Sequence, residues 1–225
     1  RYLLWNIADI KIGTDKYHPL EQDSIDIVES LGGRYEGKLK MLMTRMIGLD
    51  PSSSGIKNSV EINGGIQVVR DDLLDGGTKR RAFTMYIASL PNIEEFVYAS
   101  PRQGYAQLSL AYACRDLGRK CTVTVPKGKH YWLTDEAIKL GCNIIEVPMG
   151  FLTNIQAKAR YYCEENEAHL IPFGGDHPII IEAMTRTALT LGVSPKEVWT
   201  VMSSGVLSRG LQNAWPDAKV YGVQI

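Results

Sequence analysis

The sequence predicts an α/β protein built on mainly parallel, twisted sheets with helices on both faces. Three observations carry that expectation. Short runs rich in β-branched and aromatic residues recur at 66–70, 95–99, 121–125, 143–147, 169–173, 198–202 and 219–223. Segments with helical periodicity fill the gaps, at 79–90, 103–117, 134–140, 154–166, 178–191 and 207–213. Gly118, Gly141 and Gly192 stand where helices should stop. Strand, helix, strand at this spacing means βαβ crossovers and a sheet covered on both faces.

Composition narrows the functional classes. Of 225 residues, 44% are hydrophobic and 22% charged, an ordinary globular balance. Lys+Arg and Asp+Glu are both 25, so no net charge steers the chain to nucleic acid or a membrane surface. No apolar run approaches the roughly 20 residues of a membrane helix, and no signal peptide is visible. Cys114, Cys121, Cys142 and Cys163 form no CxxC pair and no zinc-ligand spacing with histidine, so no metal site is expected. They read as three core residues and, in Cys121, a strand residue, which fits a reducing, cytoplasmic setting.

The chain divides at about residue 60. Residues 1–60 read as a helical extension or partner surface, with amphipathic stretches at 23–31 and 37–47 and a loop at 50–59. Met41, Met43 and Met46 supply an adaptable packing face. Residues 61–225 form the α/β core, with a small subdomain at about 96–175 inside it.

In open α/β sheets, ligands bind beyond the carboxyl ends of the strands. Four loops there are unusual. The first, 70–79, places Gly76 and Gly77 before Thr78 and then Lys79 at a helix start. The positive end of the helix dipole favours a neutral amine, the form that Schiff-base chemistry needs. The last, 203–208, runs Ser203, Ser204, Gly205, Val206, Leu207, Ser208 between a strand and a helix. Its free N–H groups and hydroxyls suit a phosphate. The loop Ser100-Pro101-Arg102-Gln103-Gly104-Tyr105 could hold a carboxylate on its N–H groups, Ser100 and Gln103. Gly174-Gly175-Asp176-His177-Pro178 is a further anion-facing turn, in which His177 reads as a capping or surface histidine.

In order, these features resemble the fold-type II pyridoxal-phosphate family, in particular its D-cysteine desulfhydrase and aminocyclopropane-carboxylate deaminase branch. Val69-Arg70-Asp71-Asp72 and Gly76-Gly77-Thr78-Lys79-Arg80-Arg81 stand for that branch's Lys-Arg-Asp-Asp and Gly-Gly-Asn-Lys-x-Arg. Ser100 to Tyr105 stand for its Ser-x-Asn-His loop, followed by an alanine-bearing helix ending in Leu117-Gly118. A strand ending in Pro126, the segment Gly141 to Val147, Ile171-Pro172-Phe173-Gly174-Gly175 and the Ser203 to Leu211 loop complete the series over 66–225.

The resemblance implies pyridoxal 5'-phosphate as cofactor, Lys79 as its Schiff-base lysine, and a lyase or deaminase acting on an amino-acid-like substrate. It implies cofactor contacts from Thr78, Gly104, Tyr105, Ser203, Ser204, Gly205, Val206, Leu207 and Ser208. Ser100, Gln103, Gly104 and Tyr105 would face the substrate, and the default assembly is a homodimer. Several positions depart from the pattern: Thr78 replaces asparagine, Gly104-Tyr105 replace Asn-His, and Val206 and Leu207 replace glycine and threonine, so that the Val206 side chain could crowd a phosphate. Two other readings stay open. The run 68–78 also looks like the paired-acid motif of phosphoribosyltransferases, with Asp71-Asp72 on the ribose hydroxyls. Alternatively the chain is a catalytically inactive descendant kept for binding or assembly.

Overall fold

The computed structural model describes residues 2–5, 11–12, 16–17, 60–63, 66–148 and 151–224. The expected helices at 23–31 and 37–47, the loop at 50–59 and the methionine face lie outside the described residues.

Eleven strands occur among the described residues: β1 (Tyr2–Trp5), β2 (Lys11–Ile12), β3 (Lys16–Tyr17), β4 (Val60–Asn63), β5 (Ile66–Val69), β6 (Glu95–Ala99), β7 (Lys120–Pro126), β8 (Asn143–Val147), β9 (His169–Leu170), β10 (Glu197–Met202) and β11 (Lys219–Gln224). Six α-helices are interleaved with the later strands: α1 (Gly77–Ala88), α2 (Ala106–Asp116), α3 (Trp132–Lys139), α4 (Leu152–Asn166), α5 (Pro178–Leu189) and α6 (Val206–Ala214).

The strands form a large sheet in the order β11-β10-β1-β5-β4, a small sheet in the order β8-β7-β6-β9, and the pair β2-β3. Every pairing in the two main sheets is parallel except β4 with β5 at the edge. The expectation of mainly parallel sheets is therefore met, with one antiparallel edge strand of a common kind.

Residues 1–60 read as a helical extension, but their described residues are strands. Tyr2–Trp5 is a strand between β10 and β5, paired to both in register from Tyr2 to Trp5. Four residues are too few to display a period, so only their pairing reveals them.

Period-two alternation sorts the small sheet into two faces. Phe96 and Tyr98 on β6, with Cys121, Val123 and Val125 on β7, enter the main core beside Phe83, Leu110 and Ile180. Val97 and Ala99 point the other way, against Ile155 and Ala159 of α4. Helices thus cover both faces, as crossover connections require. A second core, containing Val69, Ala188, Val198 and Leu211, lies against the large sheet. Helix α6 is seated closely on α5, because a Cβ on Gly210 would stand 2.5 Å from Met184 Cβ. There the Thr185 hydroxyl donates to the Gly210 carbonyl at 3.1 Å.

Two boundaries differ from expectation for physical reasons. The strand expected over 169–173 ends at Leu170. Pro172 has no N–H to donate to a ladder, and Gly174 (φ 72°) and Gly175 (φ 76°) turn the chain in the left-handed region. The helix expected from 103 begins at Ala106, because Gly104 N–H first closes a turn on the Pro101 carbonyl at 2.8 Å. No helix among the described residues is long and apolar enough to cross a membrane.

Candidate active site

The topology brings the two loops of the large sheet to one place. Lys79 is the third residue of α1, which follows β5, and the serine-rich turn 203–205 follows β10. Both strands run parallel to β1, which lies between them. Their carboxyl ends therefore open on the same side, two strand spacings apart, about 10 Å. That is a span a vitamin-sized ligand can bridge.

The small sheet delivers its loops to the same edge. The turn at Gly174 touches the serine turn directly: the Ser204 hydroxyl donates to the Gly174 carbonyl at 3.3 Å. A Cβ on Gly174 would stand 2.5 Å from Ser204 Cβ. Gly174 N–H donates to the Tyr98 hydroxyl at 3.1 Å. A Cβ on Gly175 would meet Phe83 Cε1 at 3.3 Å, and Phe83 lies one helical turn beyond Lys79. On the other flank the Ser109 hydroxyl, one turn into α2, donates to the Gly76 carbonyl just ahead of Lys79.

The segment around Lys79 is heavily braced while its amine is left alone. The Arg80 guanidinium bonds Asp116 and the Asp75 carbonyl, and lies over the Tyr112 ring at 4.7 Å. The Thr78 hydroxyl donates to Asp71, a carboxylate 2% exposed and beside Arg81. Burial lowers Arg81 to about 10, and Asp71 opposes that fall. Lys79 has no ion-pair or hydrogen-bond partner among the described residues, and burial alone lowers its amine from 10.5 to about 8. That shift gives Lys79 a far larger neutral fraction at pH 7 than a free lysine has, and the neutral form is the one that attacks a carbonyl.

The serine turn has the fittings of an anion seat. Gly205 is left-handed at φ 74° and caps α6, so the first N–H groups of that helix lie open behind Ser203 and Ser204, both exposed. The Ser208 hydroxyl is buried with no hydrogen-bond partner among the described residues. The Val206 side chain does not crowd this turn: it is 1% exposed and belongs to the main core. Leu207 is partly buried between the two cores.

The remaining residues expected in the site fall on the loop after β6. Ser100 is fully buried and its hydroxyl donates to the Pro101 carbonyl at 2.9 Å. Gly104 must lack a side chain, since a Cβ there would stand 2.5 Å from the Ser100 hydroxyl. Gln103 is exposed, its amide donating to the Tyr131 hydroxyl at 2.7 Å. Tyr105 precedes α2 and meets the Trp132 ring edge-on at 6.2 Å. Sequence reasoning missed Gln107, Ser109, Tyr98 and Asp71 as supports; of these only the burial of Asp71 contradicts an expectation. Asp71, an inward carboxylate that takes the Thr78 hydroxyl, does not present itself to ribose hydroxyls as the phosphoribosyltransferase reading expected of it. His177 caps α5, its Nδ1 accepting the Ile179 N–H at 3.2 Å.

An amine whose pKa burial lowers and a serine turn at a helix start thus both follow strands of the large sheet at its carboxyl edge. The family model for pyridoxal-phosphate dependent enzymes matches residues 60–225, and the chain belongs to that family, whose cofactor is pyridoxal phosphate. The solved T.th. threonine deaminase is similar at 26% identity, over 65% of this chain and 49% of that one, with a TM-score of 0.56. The serine racemase of Dictyostelium discoideum is 22% identical over 65% of this chain and 49% of that one, with a TM-score of 0.55. The processed threonine deaminase isoform 2 of Solanum lycopersicum is 16% identical over 85% of this chain and 61% of that one, with a TM-score of 0.64. At those last two identities the likeness is one of fold. The chain spans about half the length of the first of these relatives. None of the three is named as a member of the desulfhydrase branch that the motifs resemble. A search of curated proteins finds no match.

Proposed function

We propose that this chain carries pyridoxal phosphate on Lys79 and acts as a lyase or deaminase on an amino-acid-like substrate. The observation that carries the reading is the Lys79 amine, desolvated to about 8 and unpaired among the described residues. A structural lysine buried to that extent would ordinarily have a carboxylate beside it. The residues fit the cofactor: an open helix start behind two serines, a buried hydroxyl awaiting a partner, and a glycine at 174 where a Cβ would fill the cradle.

Bound there, pyridoxal phosphate supplies an electron sink for the carbon next to the substrate amine. The chain's own residues do the rest. Ser203, Ser204 and the N–H groups at Gly205, Val206, Leu207 and Ser208 seat the phosphate; Val206 and Leu207 contribute backbone only. Lys79 holds the cofactor and, once released, moves the α-proton at its Nζ. The loop of Ser100, Gln103, Gly104 and Tyr105 receives the substrate carboxylate on its N–H groups. Thr78 supports the site from beneath through Asp71. A homodimer is the assembly proposed from the resemblance, and a cytoplasmic setting the location.

The test is optical. The protein mixed with cofactor and desalted should keep a near-violet absorbance band, and Lys79→Ala should lose it. A colourless wild-type protein sinks the reading and leaves the inactive-descendant alternative in its place.

A further inference from the structure

Gln107 has the most completely bonded side chain near the site. It sits in the first turn of α2 and is fully buried. Its amide nitrogen donates to the carbonyls of Gly104 at 2.9 Å and Arg102 at 3.3 Å. Its carbonyl oxygen accepts the hydroxyl of Thr134, on α3 and 1% exposed, at 2.8 Å. The orientation is unambiguous, because a reversed amide would set oxygen against two carbonyl oxygens. The Ser100 hydroxyl and Gly104 N–H both hold the Pro101 carbonyl.

These bonds dictate what the loop shows to its ligand. In a trans peptide the carbonyl and the next N–H point in opposite directions, and no peptide among the described residues is cis. With the carbonyls of Pro101, Arg102 and Gly104 drawn inward, the N–H groups of Arg102, Gln103 and Tyr105 are turned away from the interior. Successive N–H groups presented together make an anion-binding concavity. The loop is also tied to the segment before α3: Arg102 Nη2 donates to the Lys127 carbonyl and Gln103 to the Tyr131 hydroxyl, each at 2.7 Å.

We propose that Gln107 and Thr134 are positioning residues for the substrate carboxylate: they hold the carbonyls of loop 100–105 inward so that its N–H groups bind the anion. The proposal rests on the assignment of that loop to the substrate made above. Both side chains are buried, so neither touches the ligand, and the shape of the loop depends on α3 as well as on its own helix.

The experiment follows backbone amide resonances of the full chain while sodium propionate is added, with and without pyridoxal phosphate. In the wild type the Arg102 and Gln103 amides should shift and saturate, and neutral propanamide should move neither. Gln107→Met, which keeps the volume and removes the donors, should raise the propionate Kd at least tenfold. Thr134→Val should raise it several-fold and Thr134→Ser should restore it. Silent Arg102 and Gln103 amides in the wild type, or a Gln107→Met protein that binds propionate as the wild type does, would overturn the proposal. If Gln107→Met does not fold, equal affinities of Thr134→Val and Thr134→Ser overturn it instead. A propionate response in a protein that shows no absorbance band sinks the cofactor reading and spares this one; a band without the response does the reverse.

Discussion

The loops from the two sheets prepare for a ligand in opposite ways. Those of the large sheet leave polar groups uncommitted: the Lys79 amine is unpaired among the described residues, and the Ser208 hydroxyl is buried without a partner there. Those of the small sheet commit nearly everything: Ser100, Gln103, Gln107 and Tyr98 all spend their hydrogen bonds inside the protein. The large sheet thus offers side chains that can react or grip, and the small sheet offers a backbone surface of fixed shape. A buried unsatisfied group costs about 1–3 kcal/mol, so the large-sheet loops are where a ligand returns the most stability.

The sharpest way to break this contrast is Lys79→Met. It should abolish the absorbance band completely and yet raise the melting temperature of the cofactor-free protein at pH 7, since an uncompensated buried amine is replaced by an apolar side chain of similar length. A lower melting temperature would mean that the amine is structurally engaged. Gly174→Ala should come next. Its Cβ meets Ser204 in a left-handed backbone, so a loss of about 1–3 kcal/mol of stability and a weakening of cofactor affinity by about a hundredfold are expected, read by thermal melting and spectral titration. Asp71→Asn removes the charge beside Arg81 and should cost about 1–3 kcal/mol in denaturant unfolding, with the absorbance band retained. Ser204→Ala should be mildest, weakening cofactor binding by about five- to tenfold, near the value of one hydrogen bond.

The pH dependence sharpens the same comparison. Lys79 titrates at about 8 in the fold against 10.5 for a free lysine. The fold therefore favours the neutral amine: the contribution is fully present above about 10.5 and is lost as pH falls towards about 8. Stability contributed by this group should rise with pH across that window. The rate of cofactor capture should climb about tenfold per pH unit below pH 8 and level off above it, as measured by stopped-flow absorbance. A rate that goes on climbing tenfold per unit up to about pH 10 would place the amine in solvent.

Much of the architecture was legible in the chain itself. The run 95–99 lies between Pro91 and Pro101, the run 143–147 follows Gly141, and both strands stand at the residues expected. The same local signals placed Lys79 at a helix start and the serines after a strand, because glycine and serine at a βα junction act through their own backbone. Less could be read at 169–173, where left-handed glycines override strand propensity, and at residues 2–5, where four residues carry no period.

What the sequence by itself determined, then, is the succession of strands and helices and the loops that carry small and polar residues, since propensity, periodicity and capping are properties of neighbours along the chain. Only the tertiary structure decided that β1 separates β5 from β10, that Val206 turns into the core, and that Gln107 is held by Thr134, 27 residues away. Those are contacts between residues distant in the chain, set by sheet order and by the need to give each buried polar group a partner. No local signal records them.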